Sequence, residues 1–348
     1  MKPKHLITTG FFCLLIVSVG IFIAAMGQTP PTGQDATAGS SNYHLSGPYT
    51  HGNLTVFLVH GKDLTNKNFL TLQEALAQKK VKVYETKDVN SLAIQNLSGD
   101  DVYVQAGDIV RGGDQDRMIS IDFIVPPKSG RMPIAAFCVE SGRWSRRGGE
   151  QSETFGSSNN SVATRDLKLA AKSAKSQEAV WANVSVAQQK LSKNVGAIVN
   201  SSASATSFEL AVENAKVKET SAAYINTLNG IISNKPDVIG YVFAINGQVN
   251  SADVYASHAL FMKLWPKLLK ASAVEAIAEL NQPVKAEPIA EETVGAFLVE
   301  SEKPSAQPKD VTSRVRMLTR EDDKNAFYET QDRSQKDAWV HRNYIRKQ

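Results

Sequence analysis

Cysteine is scarce in this chain, whose 348 residues include only Cys13 and Cys138. Cys13 lies in an N-terminal apolar run, so the remainder holds one cysteine and cannot form an intrachain disulfide. Stability must therefore come from an ordinary hydrophobic core. Charge of one sign is scarce as well, because 39 Lys and Arg accompany 35 Asp and Glu, a formal net charge of +4. Such mild basicity does not favour nucleic acid as a partner, and none is expected.

Familiar catalytic signatures are also missing. The chain has no phosphate-binding glycine loop, no zinc-ligand spacing, no serine elbow and no paired-carboxylate motif. No repeat of fixed period is visible either. The sequence therefore indicates no particular reaction and leaves any cofactor unknown, and its chemistry has to be sought in clusters of polar residues.

A long apolar run, Leu6–Met26, follows Lys2 and Lys4 and contains no charged residue. A basic start followed by an apolar stretch is the pattern of an export signal. The run is also long enough to cross a bilayer with the two lysines on the inner side. Ala25-Met26-Gly27 resembles a cleavage site, so release and anchoring both remain open. We expect export to a periplasmic or extracellular location, with membrane attachment through residues 6–26 if they are not cleaved.

Composition divides the chain into four segments. Pro, Gly, Ser and Thr dominate residues 28–50 without an apolar period, which predicts a flexible linker. About 300 residues then remain, enough for one large domain or two small ones. We expect a signal peptide or anchor at 1–27, the linker at 28–50, a domain at 51–280, and a strand-rich extension at 293–348 beyond a linker-like stretch.

Strand patterns and helix patterns occupy separate blocks. The predicted N-terminal strands are Leu54–His60, Val81–Glu85, Leu92–Asn96, Val102–Gln105, Met118–Val125 and Pro133–Val139. The predicted helices are a short one starting at the capping box Thr71–Glu74, then Val162–Asn194, Thr206–Ile232 and His258–Leu280. Val238–Ile245 and Val249–Val254 are expected to form a hairpin, and Ser145–Asn160 a mobile loop. The tail offers strand-like runs at Val294–Val299, Arg314–Leu318, Ala326–Glu329 and Ala338–Tyr344. This segregation predicts an α+β fold, with a mainly antiparallel N-terminal sheet, long helices packed on it and a strand-rich C-terminal segment.

Polar residues concentrate between Gln105 and Trp144, where glycines punctuate two apolar strand-like runs. Binding and catalytic sites are commonly built at such turns and strand ends. The candidate ligand-binding residues are Asp108, Arg111, Gln115, Arg117, Glu140, Arg143 and Trp144, with Asp116 beside them. Cys138 is the candidate nucleophile, and no metal ligands are indicated.

Each of these features also has a structural interpretation. Cys138 alternates with apolar residues and suits a buried core position, whereas a nucleophilic thiol needs a cation or base nearby. Arg111 and Arg117 could hold an anion or form surface ion pairs around the intervening turn. Asp253 and His258 favour a role in capping the helix that follows them.

Glu140, Arg143 and Trp144 form the part of this segment that suits a binding role best. Cys138 and Glu140 share one face of a strand because side chains alternate, and Gly142 lets the chain turn so that Arg143 can fold back towards Glu140. The guanidinium would then hold a phosphate or carboxylate while Trp144 packs on a ring. Alternatively, Arg143 only pairs with Glu140, and Trp144 closes the edge of the sheet.

The chain resembles a known domain family over roughly residues 52–280. The strings that carry the resemblance are LQEALAQKKVKVYE, AGDIVRGGDQDR, VPPKSGRMPIAAFCVESGRW, QEAVW and INGQVNSADVYASHALFMKLW. They are similar to the ARG and rhodanese/phosphatase-superfamily-associated protein domain, which is named for its genomic company with ADP-ribosylglycohydrolases and phosphatases. The most specific piece is the Cys-x-Glu-x-x-Arg-Trp string that begins at Cys138. The resemblance implies a link to NAD or ADP-ribose metabolism and supplies no catalytic residues.

Three hypotheses about function follow from these observations. The first is an exported domain that binds a small anionic ligand, with nucleotides and ADP-ribose derivatives as the first compounds to consider. The second is a thiol enzyme that uses Cys138, activated by Arg143 or His258. The third is an envelope scaffold whose sheet face binds another protein and whose polar cluster is structural.

Overall fold

The computed structural model of the protein describes residues 42–65, 67–161, 164–280 and 288–347, which belong to one compact unit. The strands are β1 (His44–His51), β2 (Leu54–His60), β3 (Leu70–Thr71), β4 (Val81–Tyr84), β5 (Ser91–Asn96), β6 (Val102–Val104), β7 (Asp108–Gly112), β8 (Arg117–Ile119), β9 (Phe123–Val125), β10 (Met132–Cys138), β11 (Thr154–Ser161), β12 (Val238–Ile245), β13 (Gln248–Tyr255), β14 (Gln307–Asp310), β15 (Val315–Glu321), β16 (Asn325–Asp332) and β17 (Ala338–Arg346). The helices are α1 (Leu72–Ala77), α2 (Arg165–Leu169), α3 (Gln177–Val195), α4 (Phe208–Val212), α5 (Ala215–Leu228), α6 (His258–Ala278) and α7 (Glu291–Ser301).

An antiparallel sheet of eight strands is the largest element, in the order β1-β2-β12-β13-β17-β16-β15-β14. The central strand β12 is buried along its whole length. Tyr241 and Phe243 of this strand share a core with the long helix α6, whereas Val242 shares a core with α7. Because both faces are covered, β12 is apolar at successive positions rather than alternating between apolar and polar residues.

A second sheet of six strands closes on itself in the order β10-β5-β4-β11-β7-β8. Its interior is apolar, with Val83, Ile94 and Val110 among the buried residues. Three short strands, β3, β6 and β9, form a separate small sheet. The polar segment 105–144 contributes β7, β8 and β10 to the closed sheet. The eight-stranded sheet faces the closed sheet across the loops that join β6 to β7 and β8 to β9.

The α+β prediction is confirmed, and several elements have the predicted bounds. β2 spans Leu54–His60 as expected, and the capping box at Thr71 and Glu74 is formed in both directions. β12 and β13 form the predicted hairpin, and α6 spans His258–Ala278, close to the helix predicted over 258–280. These successes rest on long apolar patterns and on local turn chemistry, which depend little on distant parts of the chain.

Some elements differ from the expectations. Val294–Val299 is not a strand but part of α7, which buries Val294, Phe297 and Leu298 on one side. Thr154–Ser161 forms β11 within the predicted mobile loop, and the helix predicted over 162–194 is interrupted at Lys175, whose φ is 50°. The predicted strand over 118–125 is split, because β8 pairs with β10 whereas β9 pairs with β6.

The segment boundaries also differ from the expectations. β1 begins at His44, where a linker up to residue 50 was expected, and residues 28–41 lie outside the described residues. The C-terminal strands continue the main sheet, because β17 pairs with β13 on one side and β16 on the other. The apolar run 6–26, predicted to be an export signal or membrane anchor, lies outside the described residues. Among the helices that are described, none has the length and apolar character needed to cross a membrane.

Candidate functional site

Glu140 and Arg143 come together as the sequence predicted. Gly142 adopts a left-handed conformation with φ of 81°, and Arg143 Nε lies 2.8 Å from Glu140 Oε1. Glu140 Oε2 accepts a hydrogen bond of 3.1 Å from the backbone N–H of Asp116. Arg147 adds a second guanidinium, with Nη2 3.0 Å from Asp116 Oδ2. Four charged side chains therefore form one largely buried network at this end of the closed sheet.

Carboxylates outnumber guanidiniums around this network. Burial and the neighbouring charge of Glu140 raise the pKa of Asp116. Burial acts the same way on Glu140, but hydrogen bonds, first of all from Arg143, outweigh it and lower its pKa. Arg111 links Glu150, Glu209 and Glu213, at distances of 3.4 to 3.8 Å. The arginines are thus already neutralised by side chains of the protein, which disfavours an additional anion here.

The remaining predicted residues are dispersed. Asp108 forms a buried ion pair with Lys267 of α6. Arg117 is buried and lies 3.3 Å from Glu85 Oε1. Gln115 is fully buried and Trp144 is 59% exposed. The seven candidate residues therefore do not line one pocket; the structure brings together only Glu140 and Arg143, with Arg111 joined to them through Glu150 and Arg147.

Cys138 occupies a buried position on β10. Its backbone N–H donates to Gln177 Oε1 at 2.8 Å, and Gln177 Nε2 donates back to the Cys138 carbonyl at the same distance. Burial raises the pKa of the thiol to about 11, against the opposing effect of Arg117. A thiol with this pKa is protonated near neutral pH, so the geometry favours the core interpretation of Cys138.

A cavity of about 260 Å³ lies between the closed sheet, the eight-stranded sheet and the helical segment after α2. We call it the Lys172 cavity, after the lysine that reaches it from the helical segment. Its lining residues from the closed sheet and adjoining loops include Asn90, Ala106, Ser120, Asp122, Ala136 and Phe137. Those from the helical segment are Ala171, Lys172 and Lys175, and those from the eight-stranded sheet are Lys309, Met317, Tyr328 and Thr330.

Strand register explains how the eight-stranded sheet supplies its wall. His341 of β17 pairs with Tyr255 on one side and with Thr330 on the other. Two residues further along β17, Asn343 pairs with Asp253 and Tyr328. Positions two apart in a strand face the same side, so these two cross-strand rows present their polar groups together towards the closed sheet.

A buried chain of hydrogen bonds connects the two sheets at the cavity. His341 Nδ1 lies 2.7 Å from Asp122 Oδ2, and His341 Nε2 lies 3.0 Å from Asp253 Oδ1. Thr330 Oγ1 and the Tyr103 hydroxyl also donate to Asp122 Oδ2, at 2.7 and 3.1 Å. The His341 ring stacks on Tyr255, with centroids 4.5 Å apart. The loop between β8 and β9 is thereby attached to β13, β16 and β17.

The two carboxylates favour the charged form of His341. Burial lowers the pKa of His341, but the charge and hydrogen bond of Asp122, together with Asp253, outweigh burial and raise it. Conversely, burial raises the pKa of Asp122 and Asp253, and the imidazolium reverses this and lowers both. Perturbed titratable groups beside a cavity are a recognised sign of a functional site, although structural ion pairs share it.

Lys172 lies on a π-helical turn, Ala170–Ala174, that follows α2. Such turns are rare and are often found at functional sites, because the extra residue changes the direction of the side chains that follow. Lys172 Nζ donates to Asn343 Oδ1 at 2.6 Å and lies 4.9 Å from the centre of the Tyr328 ring. Burial lowers the pKa of Lys172, against the opposing charges of Asp122 and Asp253.

No local pattern in the sequence pointed to the residues of this cavity. Asp253 was expected to cap a helix, but it lies within β13, and Ser257 caps α6 instead. The available signal was a pair of polar residues two apart, His341 and Asn343, in the otherwise largely apolar strand β17. Their partners, Asp122 and Lys172, are distant in the chain, so the sequence alone did not place them together.

Comparison with known proteins identifies a family and no individual relative. The family model of the ARG and Rhodanese-Phosphatase-superfamily-associated Protein domain, ARPP-1, matches residues 42–345. No curated protein and no solved structure matches the chain. The match includes β1 through most of β17, and so covers every strand that contributes to the Lys172 cavity.

Proposed function

The chain belongs to the family of ARG and Rhodanese-Phosphatase-superfamily-associated Protein domains, and from this premise we propose that it binds a small anionic metabolite in the Lys172 cavity. The ligand class is the one expected from the sequence, a small anion. The proposed site is the Lys172 cavity instead of the segment around Arg143. Arg143 and Glu140 become structural residues, and the cationic groups that meet the ligand are lysines.

The observation that carries the proposal is the convergence of Lys172, Lys175 and Lys309 on one cavity with apolar walls. The only carboxylate among its described lining residues, Asp122, is already paired with His341. An entering phosphate or carboxylate would therefore meet an excess of positive charge. Ala136, Phe137 and Met317 offer apolar contacts to the remainder of the ligand, a combination typical of small-molecule sites.

The size of the cavity narrows the ligand class. Pockets for drug-sized ligands have volumes of about 300 to 1,000 Å³, so a cavity of about 260 Å³ suits a small metabolite. A sugar phosphate fits this description, as does the terminal ribose phosphate of ADP-ribose with the adenosine part outside. The family is named for its genomic association with ADP-ribosylglycohydrolases, which makes ADP-ribose worth testing.

A calorimetric titration tests the proposal with ribose 5-phosphate, ADP-ribose, AMP and inorganic phosphate. We expect at least one of these to bind, and the double variant Lys175→Gln/Lys309→Gln to weaken that binding at least tenfold. Lys82→Gln is the matched control, because Lys82 is an exposed lysine of β4 that does not line the cavity. Equal weakening by the control, or no binding of any of the four compounds, would contradict the proposal.

We also propose that the protein is exported, on the basis of the Leu6–Met26 run behind Lys2 and Lys4. Fractionation of cells that express the full chain should recover it outside the cytoplasm. A chain that starts after residue 27 should remain inside. The mass of the exported N-terminus distinguishes a released protein from one anchored through residues 6–26.

The two other hypotheses receive less support. The burial of Cys138 and the raised pKa of its thiol argue against a thiol enzyme. An envelope scaffold stays a prediction, and recovery of a stable partner from the membrane fraction would support it. The exposed Trp144 would be the first residue to substitute in such an experiment.

A further inference from the structure

Lys172 is a half-buried lysine without a carboxylate partner. Among the described residues it forms no ion pair; its Nζ contacts the amide oxygen of Asn343 and the ring of Tyr328. Each of these two contacts stabilises an ammonium less than contact with a carboxylate would. The environment of Lys172 therefore favours the neutral amine more than an exposed or ion-paired site would.

Nearby lysines on the same or adjoining helices are arranged differently. Lys168 lies one helical turn earlier and pairs with Glu275 at 3.4 Å. Lys267 of α6 forms the buried ion pair with Asp108. Their positive charge is compensated directly, whereas Lys172 faces a cavity with the charged Lys168 close enough to lower its pKa further.

A neutral lysine amine in a partly desolvated pocket beside another cation is the arrangement that makes lysine a nucleophile towards carbonyl compounds. Lys172 meets these conditions by geometry, since it lines both the Lys172 cavity and a smaller adjoining cavity of about 40 Å³. The amine is thus accessible to a bound molecule while its surroundings remain mostly protein.

We propose that Lys172 forms an imine with a small aldehyde or ketone that carries a phosphate or carboxylate, an inference that rests on the proposed anion binding in the same cavity. The nitrogen lone pair attacks the carbonyl carbon and a C–N bond forms. One proton moves from nitrogen to the carbonyl oxygen to give a carbinolamine. The C–O bond then breaks, and the oxygen leaves as water with the second amine proton. No oxidant or reductant takes part, and Lys175 and Lys309 hold the anionic end.

Dihydroxyacetone phosphate and glycerol 3-phosphate provide a matched pair of probes. They differ only at one carbon, which is a ketone in the first compound and an alcohol in the second. The full chain is incubated with dihydroxyacetone phosphate and then treated with sodium borohydride, which reduces an imine to a stable secondary amine. We expect peptide mass spectrometry to find the adduct at Lys172 at least tenfold above any other lysine. Excess glycerol 3-phosphate should suppress that labelling by competition.

Lys172→Arg separates the covalent step from binding, because arginine keeps a long side chain with N–H donors but cannot form this imine. It should abolish the adduct while glycerol 3-phosphate still binds. If glycerol 3-phosphate binds in a manner that depends on Lys175 and Lys309, but adducts spread evenly over surface lysines and persist in Lys172→Arg, the imine is refuted and anion binding stands. If neither probe binds, both the anion site and the imine are refuted for this class of ligand.

Discussion

Arg143 illustrates how a single residue can be charged, buried and structural. Only 9% of its side chain is exposed, and its guanidinium lies between Glu140 and Asp116. Removal of one partner from a buried ion pair leaves the other charge uncompensated, which costs about 3–5 kcal/mol. The position of Arg143 therefore predicts a stability effect where the sequence predicted ligand contact.

We expect Arg143→Ala to lower the free energy of unfolding by about 3 kcal/mol because Glu140 is left buried without its nearest cation. Urea denaturation measures this change. Glycerol 3-phosphate binding, measured under conditions where the variant is folded, should be unchanged within twofold. Lost binding with unchanged stability would restore Arg143 to the ligand site, and Arg146→Ala, at an exposed neighbour, serves as control.

Cys138 leads to a second prediction at the same scale. Because its thiol is buried and its pKa is raised to about 11, the thiolate that reacts with iodoacetamide is scarce at pH 7.5. We expect the Cys138 peptide to be labelled at least a hundredfold more slowly in the native protein than in denaturant. Native labelling as fast as that of free cysteine would instead favour the thiol enzyme.

Among structural elements, the most consequential connection is the one between the β8–β9 loop and strands β13 and β17. Asp122, His341 and Asp253 make this connection, and their pKa shifts have opposite signs. The pKa of His341 is raised above 6.5, so its contribution to stability is complete below that pH and is lost as the pH rises through the pKa of the folded state. The pKa values of the two aspartates are lowered below 3.8, so their contribution is lost only in stronger acid.

The difference in unfolding free energy between the native protein and His341→Gln should therefore be largest between about pH 4 and 6.5, where it should reach about 3 kcal/mol. It should then decrease steadily at higher pH. Chemical denaturation at closely spaced pH values measures the difference. A difference that grows from pH 6.5 to pH 9 would show that His341 is neutral in the folded protein.

The same elements show what the sequence could and could not predict. β2 and the hairpin of β12 and β13 were predictable, because an apolar run and an Asn-Gly turn act locally. α7 was mistaken for a strand, since a short apolar run does not distinguish the two; the spacing of Val294, Phe297 and Leu298 was the helical signal. β14 is exposed along its length and left no apolar pattern to find.

The residues of the Lys172 cavity could not be predicted from the sequence for a different reason. Glu140 and Arg143 are three residues apart, so one turn at Gly142 predicts their contact. Lys172 and Asn343 meet only because β17 lies between β13 and β16, a topology that no local pattern in this chain specifies. The polar cluster in the sequence therefore corresponds to the buried ion pairs around Glu140 and Arg143. The residues of the Lys172 cavity come together only in the folded chain.

For the whole molecule, the eight-stranded sheet joins the N-terminal and C-terminal parts of the described chain. β1 and β2 lie at one side, β14 to β16 at the other, and β17 connects them through β13. A chain that ends at residue 280 would lack four strands and α7, and would expose the edge of β13 together with Asp253. Exposed edges of this kind favour aggregation.

We therefore expect the 1–280 truncation to be insoluble or to show no cooperative unfolding transition, in contrast to the full chain. Circular dichroism during heating and analytical ultracentrifugation provide the measurements. A soluble, cooperatively unfolding 1–280 chain would establish the C-terminal stretch as the separate extension that the sequence suggested. Its ability to bind glycerol 3-phosphate would further show that β17 is dispensable for the cavity.

The position of β17 also affects when the site can exist during synthesis. This strand is the last one in the described chain, yet it lies inside the sheet and supplies His341 and Asn343. While a ribosome is still translating the preceding residues, β1, β2, β12 and β13 can assemble, but the gap beside β13 remains open. The Lys172 cavity can therefore form only after β17 has been translated, and a nascent chain released before that point would carry Lys172 without its Asn343 partner.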